Sequence, residues 1–127
     1  MSTVRALLLV GFGGFLGSAG RYLVGQWTLR ASLMVGFPYG TLIVNLAGCL
    51  AIGLLGGLAD GRRLLSPDLR LFLFAGVLGG FTTFSSFAWE TLSLAREGDV
   101  ARALVNVGAQ VALGLGFAAL GYVMGRG

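Results

Sequence analysis

Four hydroxyl residues, three phenylalanines and two adjacent glycines share nine consecutive positions, Gly79-Gly80-Phe81-Thr82-Thr83-Phe84-Ser85-Ser86-Phe87. Aromatic ring edges carry partial positive charge and hydroxyls donate hydrogen bonds, so this run has the chemistry to receive a small anion. Phe84 and Phe87 are three apart and share a helical face, with Thr83 one turn before Phe87 and Glu90 one turn after it. Phenylalanines at that spacing more often only pack, and the interleaved hydroxyls set this pair apart. The run also has poor helix propensity, which predicts a break beside the glycines, and carbonyls freed by such a break can coordinate a small cation. Two further polar stripes lie in apolar surroundings. Asn45 sits one turn after Thr41, and Asn106 and Gln110 are four apart on one face. An asparagine so placed either bonds across to another helix or lines a passage, and its position alone leaves both open.

The rest of the chain shows what solvent surrounds these groups. Of 127 residues, 56% are hydrophobic and only 11% charged, with 23 glycines and a mean hydropathy of +0.87. A soluble domain carries roughly 25% charged residues, so most of this surface must meet lipid. Histidine is absent and Cys49 is the single cysteine, which makes triads, zinc sites and disulfide frameworks improbable. The net charge of +4 comes from arginines spread along the chain. Nucleic-acid binding would need a contiguous basic patch, and none is present.

A helix needs about 20 apolar residues to cross a bilayer. Residues 39–59, 71–89 and 103–125 contain no charge, and residues 6–20 continue past Arg21 to 29. That first segment spans if the arginine snorkels or faces protein. It offers no convincing cleavage site for a signal peptide. The expected fold is therefore an all-α membrane protein, one transmembrane domain over residues 1–127. Its helices are expected at about 4–28, 39–60, 68–95 and 99–125, the third broken mid-membrane. Ser66-Pro67-Asp68 supplies a cap, a proline at the first helical position and an acid in the first turn for the third helix.

Arg5, Arg62, Arg63, Arg70 and Arg126 fall on one side of the membrane, and Arg21, Arg30, Arg96 and Arg102 on the other. Arginine asymmetry sets orientation, so five against four predicts insertion both ways up and an antiparallel, dual-topology homodimer. The alternative is that Arg21, lying within a helix, should not be counted, which leaves five against three. Gly13/Gly17, Gly53/Gly57, Gly76/Gly80 and Gly121/Gly125 have the spacing that lets membrane helices approach closely, and Gly108, Ala112 and Gly116 extend it along the fourth span. Gly11-x-Gly13-x-x-x-Gly17 imitates a dinucleotide fingerprint, but it follows no strand and is discarded.

Three stretches resemble the Fluc (CrcB) family of fluoride channels. Gly13-Gly14-Phe15-Leu16-Gly17-Ser18-Ala19-Gly20-Arg21-Tyr22 is similar to the family's first-helix motif, with Ser18 where alanine is usual. Gly40-Thr41-Leu42-Ile43-Val44-Asn45-Leu46-Ala47-Gly48 resembles its second-helix motif. The run from Gly79 to Phe87 resembles its third-helix signature, with Ser86 in place of threonine. The resemblance implies a passive fluoride channel of the cell membrane, not an enzyme, built as an antiparallel dimer with two pores. It implies that Asn45 hydrogen-bonds fluoride, and that Phe84 and Phe87 of different subunits supply an aromatic box. Thr82, Thr83 and Ser86 would form a hydroxyl track, with Thr41 and Glu90 beside it. It also implies that Gly79 and Thr82 offer carbonyls to a structural sodium ion at the dimer centre, and that Arg21 draws anions into a vestibule. Where family members often carry tyrosine and serine, this chain has Asn106, Gln110 and Gly114 on the fourth-helix side of the pore.

Two other classes compete with that reading. A proton-coupled small multidrug exporter has the same size and dual topology but relies on a buried glutamate in its first helix, which this chain lacks. A non-transporting membrane assembly factor would account for the glycine faces, but not for Asn45, the paired phenylalanines and the hydroxyl run together.

Overall fold

The computed structural model describes residues 1–62 and 64–127; Arg63, counted above on one membrane face, lies outside the described residues. Among the described residues, four helices are long and apolar enough to cross a membrane: α1 (Thr3–Val35), α2 (Tyr39–Arg62), α3 (Pro67–Arg96) and α4 (Val100–Arg126). Three of them start at a side-chain cap. Ser2 caps α1 by accepting the Arg5 backbone N–H at 3.3 Å. Ser66 caps α3 by accepting from Leu69 at 3.2 Å, with Pro67 in the first turn as its sequence predicts. Asp99 caps α4, accepting the Arg102 backbone N–H at 3.0 Å, and its carboxyl lies below the usual aspartate range because the Arg102 side chain also donates to it.

The first helix runs to Val35, beyond the expected end near residue 28. Arg30 is an apolar-span boundary but not a helix breaker. The helix stops at Gly36, whose φ of 72° is the left-handed conformation glycine adopts without steric cost. From there the Gly36 N–H returns to the Ser32 carbonyl at 2.9 Å.

Glycines set how the helices pack. A Cβ on Gly13 would lie 2.6 Å from the Phe72 carbonyl oxygen and 2.9 Å from the Gly76 Cα, and one on Gly17 would collide with the Val77 carbonyl oxygen. Thus α1 lies backbone-to-backbone on the N-terminal part of α3. Gly53 and Gly57 abut the backbone at Ala118 and Tyr122, while Gly121 and Gly125 abut Leu50 and Leu54, forming a second seam between α2 and α4. Such approach maximises dispersion contact where lipid removes the hydrophobic drive between helices. The spacing at Gly108 and Gly116 is not used this way within the protomer, since a Cβ at either would meet nothing within 4 Å. Arg5 pairs with Asp68, and the Tyr122 hydroxyl donates to Asp60 at 3.3 Å, so these groups gather at one end of the bundle.

Two stretches of wider π turns interrupt the α geometry, Leu71–Leu78 in α3 and Ala109–Leu113 in α4. A sharper discontinuity follows the first. Thr82 (φ −84°, ψ 158°) and Thr83 (φ −151°, ψ 116°) are extended, and a helix restarts at Phe84. The interruption therefore lies just after the glycine pair. Gly79 is helical (φ −61°, ψ −36°), and Gly80 is a packing glycine, since a Cβ there would be 2.6 Å from the Gly14 carbonyl oxygen.

Candidate functional site

The interruption in α3 frees backbone groups that an unbroken helix would pair internally, and side chains of α1, α2 and α3 itself pair the groups around it. Thr82 satisfies the Leu78 carbonyl twice, through its N–H at 3.0 Å and its hydroxyl at 2.9 Å. The Gly80 carbonyl accepts the Arg21 Nε–H at 3.1 Å, with the Ser18 hydroxyl at 3.5 Å. Thr83 is held most completely. Its N–H donates to Asn45 Oδ1 at 2.9 Å, its carbonyl accepts from Asn45 Nδ2 at 3.0 Å, and its hydroxyl caps the following arm by accepting the Ser86 N–H at 3.2 Å. Asn45 thus acts as a surrogate peptide, matching both backbone groups of one residue 38 positions away. The same Nδ2 donates to Gln110 Oε1 at 2.9 Å. Among the described residues, the hydrogen bonds around the interruption leave the Gly79 and Thr82 carbonyls without a donor.

On the far side of Thr83, Phe84 and Phe87 meet edge to face, their ring centroids 5.6 Å apart and their planes at 63°. Phe84 is 79% exposed on the protomer, so this ring is directed out toward lipid or a second chain. The two rings, Asn45, Thr82, Thr83 and Gln110 line a cleft of about 400 Å³. Its remaining wall is apolar, including Ile52, Phe74, Leu78 and Val111. A second cleft, of about 520 Å³, also reaches Thr83 and is lined by Arg21, Thr41, Ser86 and Glu90.

The structure divides the expected polar residues into two groups. Asn45, Thr83 and Gln110 form one. In the other, Thr41 donates to Glu90 Oε1 at 2.8 Å, and Asn106 donates from Nδ2 to the Thr91 hydroxyl at 2.9 Å. Asn106 and Gln110, read as one stripe, therefore serve different partners. Thr91 was not anticipated. Its own hydroxyl donates a hydrogen bond to the Phe87 carbonyl at 2.7 Å, and its position one residue after Glu90 is the only sequence signal for it. The spare capacity of the groups has opposite sign. Glu90 Oε2 and Asn106 Oδ1 are acceptors, and Gln110 Nε2 is a donor; all three are closed to solvent and unpartnered among the described residues. A buried polar atom without a partner costs about 1–3 kcal/mol, a cost that a water, an ion or a second chain would relieve.

Comparison with known proteins agrees with this architecture. Residues 8–122 match the profile of the family described as "CrcB-like protein, Camphor Resistance (CrcB)". A "Fluoride-specific ion channel FluC" of Methylobacillus flagellatus is 47% identical over 116 residues, covering 91% of each chain. Proteins of the same name from Thermus thermophilus and Paracoccus denitrificans are 50% and 49% identical, covering 96% and 97% of this chain and 94% and 96% of their own. With four apolar spans besides, this is a multi-pass protein of the cell membrane, and the chain belongs to the CrcB-like family.

Proposed function

We propose that the chain is a fluoride-selective passive channel that lets the ion leave the cell. The observation that carries this reading is the cleft beside Thr83, where an edge-to-face phenylalanine pair stands next to amide donors inside an otherwise apolar wall. Ring edges attract an anion without holding it, and amide and hydroxyl donors replace part of its lost hydration. Conduction requires that balance of binding and release. The kinship with proteins named fluoride-specific channels supports the choice of ion.

The pore of this proposal is lined by Asn45, Phe84, Phe87, Thr41, Thr83, Ser86, Glu90, Asn106 and Gln110, with Arg21 lending positive potential at the second cleft. The functional unit is an antiparallel dual-topology homodimer with two pores, and the interruption at Thr82–Thr83 lies at mid-membrane depth. The near-even arginine division and the outward Phe84 ring support that assembly. A sodium ion at the dimer centre fits the donor set, because the undonated Gly79 and Thr82 carbonyls are the hard oxygen ligands such a cation takes. When bound, it would supply fixed positive charge near the anion path.

Purified protein in fluoride-loaded liposomes tests the reading. Fluoride efflux that far outpaces chloride supports it, and equal rates contradict it.

A further inference from the structure

The Asn45 amide has two N–H groups, and both are occupied in this structure. One donates to the Thr83 carbonyl at 3.0 Å and the other to Gln110 Oε1 at 2.9 Å. An anion that takes a hydrogen bond from Asn45 must therefore displace one of these acceptors. The Thr83 carbonyl belongs to backbone that Asn45 Oδ1 also holds, through the Thr83 N–H at 2.9 Å. Gln110 Oε1 sits at the end of a flexible side chain that lines the cleft of Phe84 and Phe87. The glutamine is the acceptor free to leave.

A place for it to go lies one turn back along α4. Gln110 Nε2 is a buried donor without an acceptor, and Asn106 Oδ1 is a buried acceptor without a donor. Asn106 itself is 0% exposed, and its Nδ2 is already committed to the Thr91 hydroxyl. That commitment fixes its oxygen as the spare atom, because the Thr91 hydroxyl gives its own hydrogen to the Phe87 carbonyl. A glutamine and an asparagine four apart on a helix are within reach of each other. The other orphaned acceptor, Glu90 Oε2, belongs to a residue of the second cleft, which Gln110 does not line.

We propose that Gln110 is a latch on the Asn45 donor: its carbonyl oxygen stands in for the anion at rest, and an entering ion turns its amide onto Asn106 Oδ1. This rests on the anion-channel reading above, with Asn45 as the donor that meets the ion. The stand-in spares the empty pore an unpaired amide hydrogen. The new bond to Asn106 offsets the one given up at Asn45, so the exchange is near balance and the ion can leave as it came. It also occupies the Asn106 oxygen while the anion is present, so that this acceptor is not left facing it.

Side-chain amide NMR of the full-length protein in nanodiscs tests the latch. The chain has only four such amides, on Gln26, Asn45, Asn106 and Gln110, and the variants Gln110→Met and Asn106→Leu assign two by their loss. Sodium fluoride should produce hydrogen–fluorine coupling on one Asn45 proton and shift the Gln110 protons without coupling. Sodium chloride should do neither. Coupling on Gln110, or coupling on Asn45 with the Gln110 protons unmoved, overturns the latch and leaves the channel reading intact. Absence of fluoride flux through the wild type overturns both. A double-mutant cycle gives a second readout, in which any structural damage at Asn106 is common to both backgrounds. Asn106→Leu should raise the fluoride concentration for half-maximal Asn45 shift about threefold when Gln110 is present, the equivalent of one membrane hydrogen bond of ~0.6 kcal/mol. In Gln110→Met it should change nothing, and an equal rise in both backgrounds overturns the latch.

Discussion

Replacing Asn45 by leucine removes the brace at the α3 interruption at nearly constant volume. Three hydrogen bonds are lost, two with the Thr83 peptide and one with Gln110, all between 2.9 and 3.0 Å. Measured side-chain hydrogen bonds inside membranes average about 0.6 kcal/mol and reach about 1.7, whereas a buried group left unpaired costs about 1–3 kcal/mol. Thr83 is half-buried beside an open cleft, so water recovers part of the loss, and the net destabilisation should be about 2–4 kcal/mol on those figures. Reversible unfolding in detergent reads the total. Amide hydrogen exchange reads its location, because the Thr83 N–H should lose protection first while the α2–α4 glycine seam keeps its own. Asn45→Asp should be worse than Asn45→Leu, since a carboxylate oxygen would replace Nδ2 against two acceptors, the Thr83 carbonyl and Gln110 Oε1. A loss below about 0.5 kcal/mol with Thr83 still protected would show that Asn45 does not hold the interruption.

Other perturbations separate packing from transport. Phe84→Leu should leave the packing within one protomer nearly unchanged, since the ring is 79% exposed on the protomer, yet lower fluoride flux about tenfold by removing an aromatic edge; equal flux would count against the aromatic pair as a conducting element. Gly57→Ala sets a methyl against the Tyr122 carbonyl oxygen and Gly125→Ala against that of Leu54, and each should cost about 1–3 kcal/mol of overpacking in a detergent unfolding assay. Gly36→Ala forces a side chain into the left-handed region at φ 72° and should cost about 1–2 kcal/mol. At the start of α4, hydrogen bonds from Arg102 depress the Asp99 carboxyl below the ordinary aspartate range. Its contribution is therefore complete above the unfolded aspartate value and is lost as pH falls through the lower folded one. Exchange protection of the first α4 turn should decline at acid pH in wild type and be pH-independent in Asp99→Asn.

How far the sequence foretold the structure depends on the range of the interaction. The four spans follow from uninterrupted apolar length, and the cap at Ser66 from local residue order, so both are visible locally. The α1 end was not, because hydropathy marks Arg30 whereas the backbone continues until Gly36 permits a left-handed turn. The interruption in α3 was recognisable as an event but not in position. Low propensity points to the glycines, yet Gly80 is required by the Gly14 backbone of another helix. The chain opens instead at Thr83, where Asn45 stands ready to replace the missing helical partners. That partner is 38 residues distant, and no local pattern encodes it. Thr91 escaped notice for the same reason, its role being set by Asn106 on the next helix.

The proposal that this fold conducts fluoride is tested most directly by ion-selective measurement of efflux from liposomes reconstituted with the wild-type chain, under an opposing potassium gradient and with chloride-loaded vesicles in parallel. The account predicts rapid fluoride release, slower fluoride release from Phe84→Leu, and chloride release no faster than from empty vesicles. Fluoride retained as in protein-free liposomes, or chloride leaving as fast as fluoride, would contradict it.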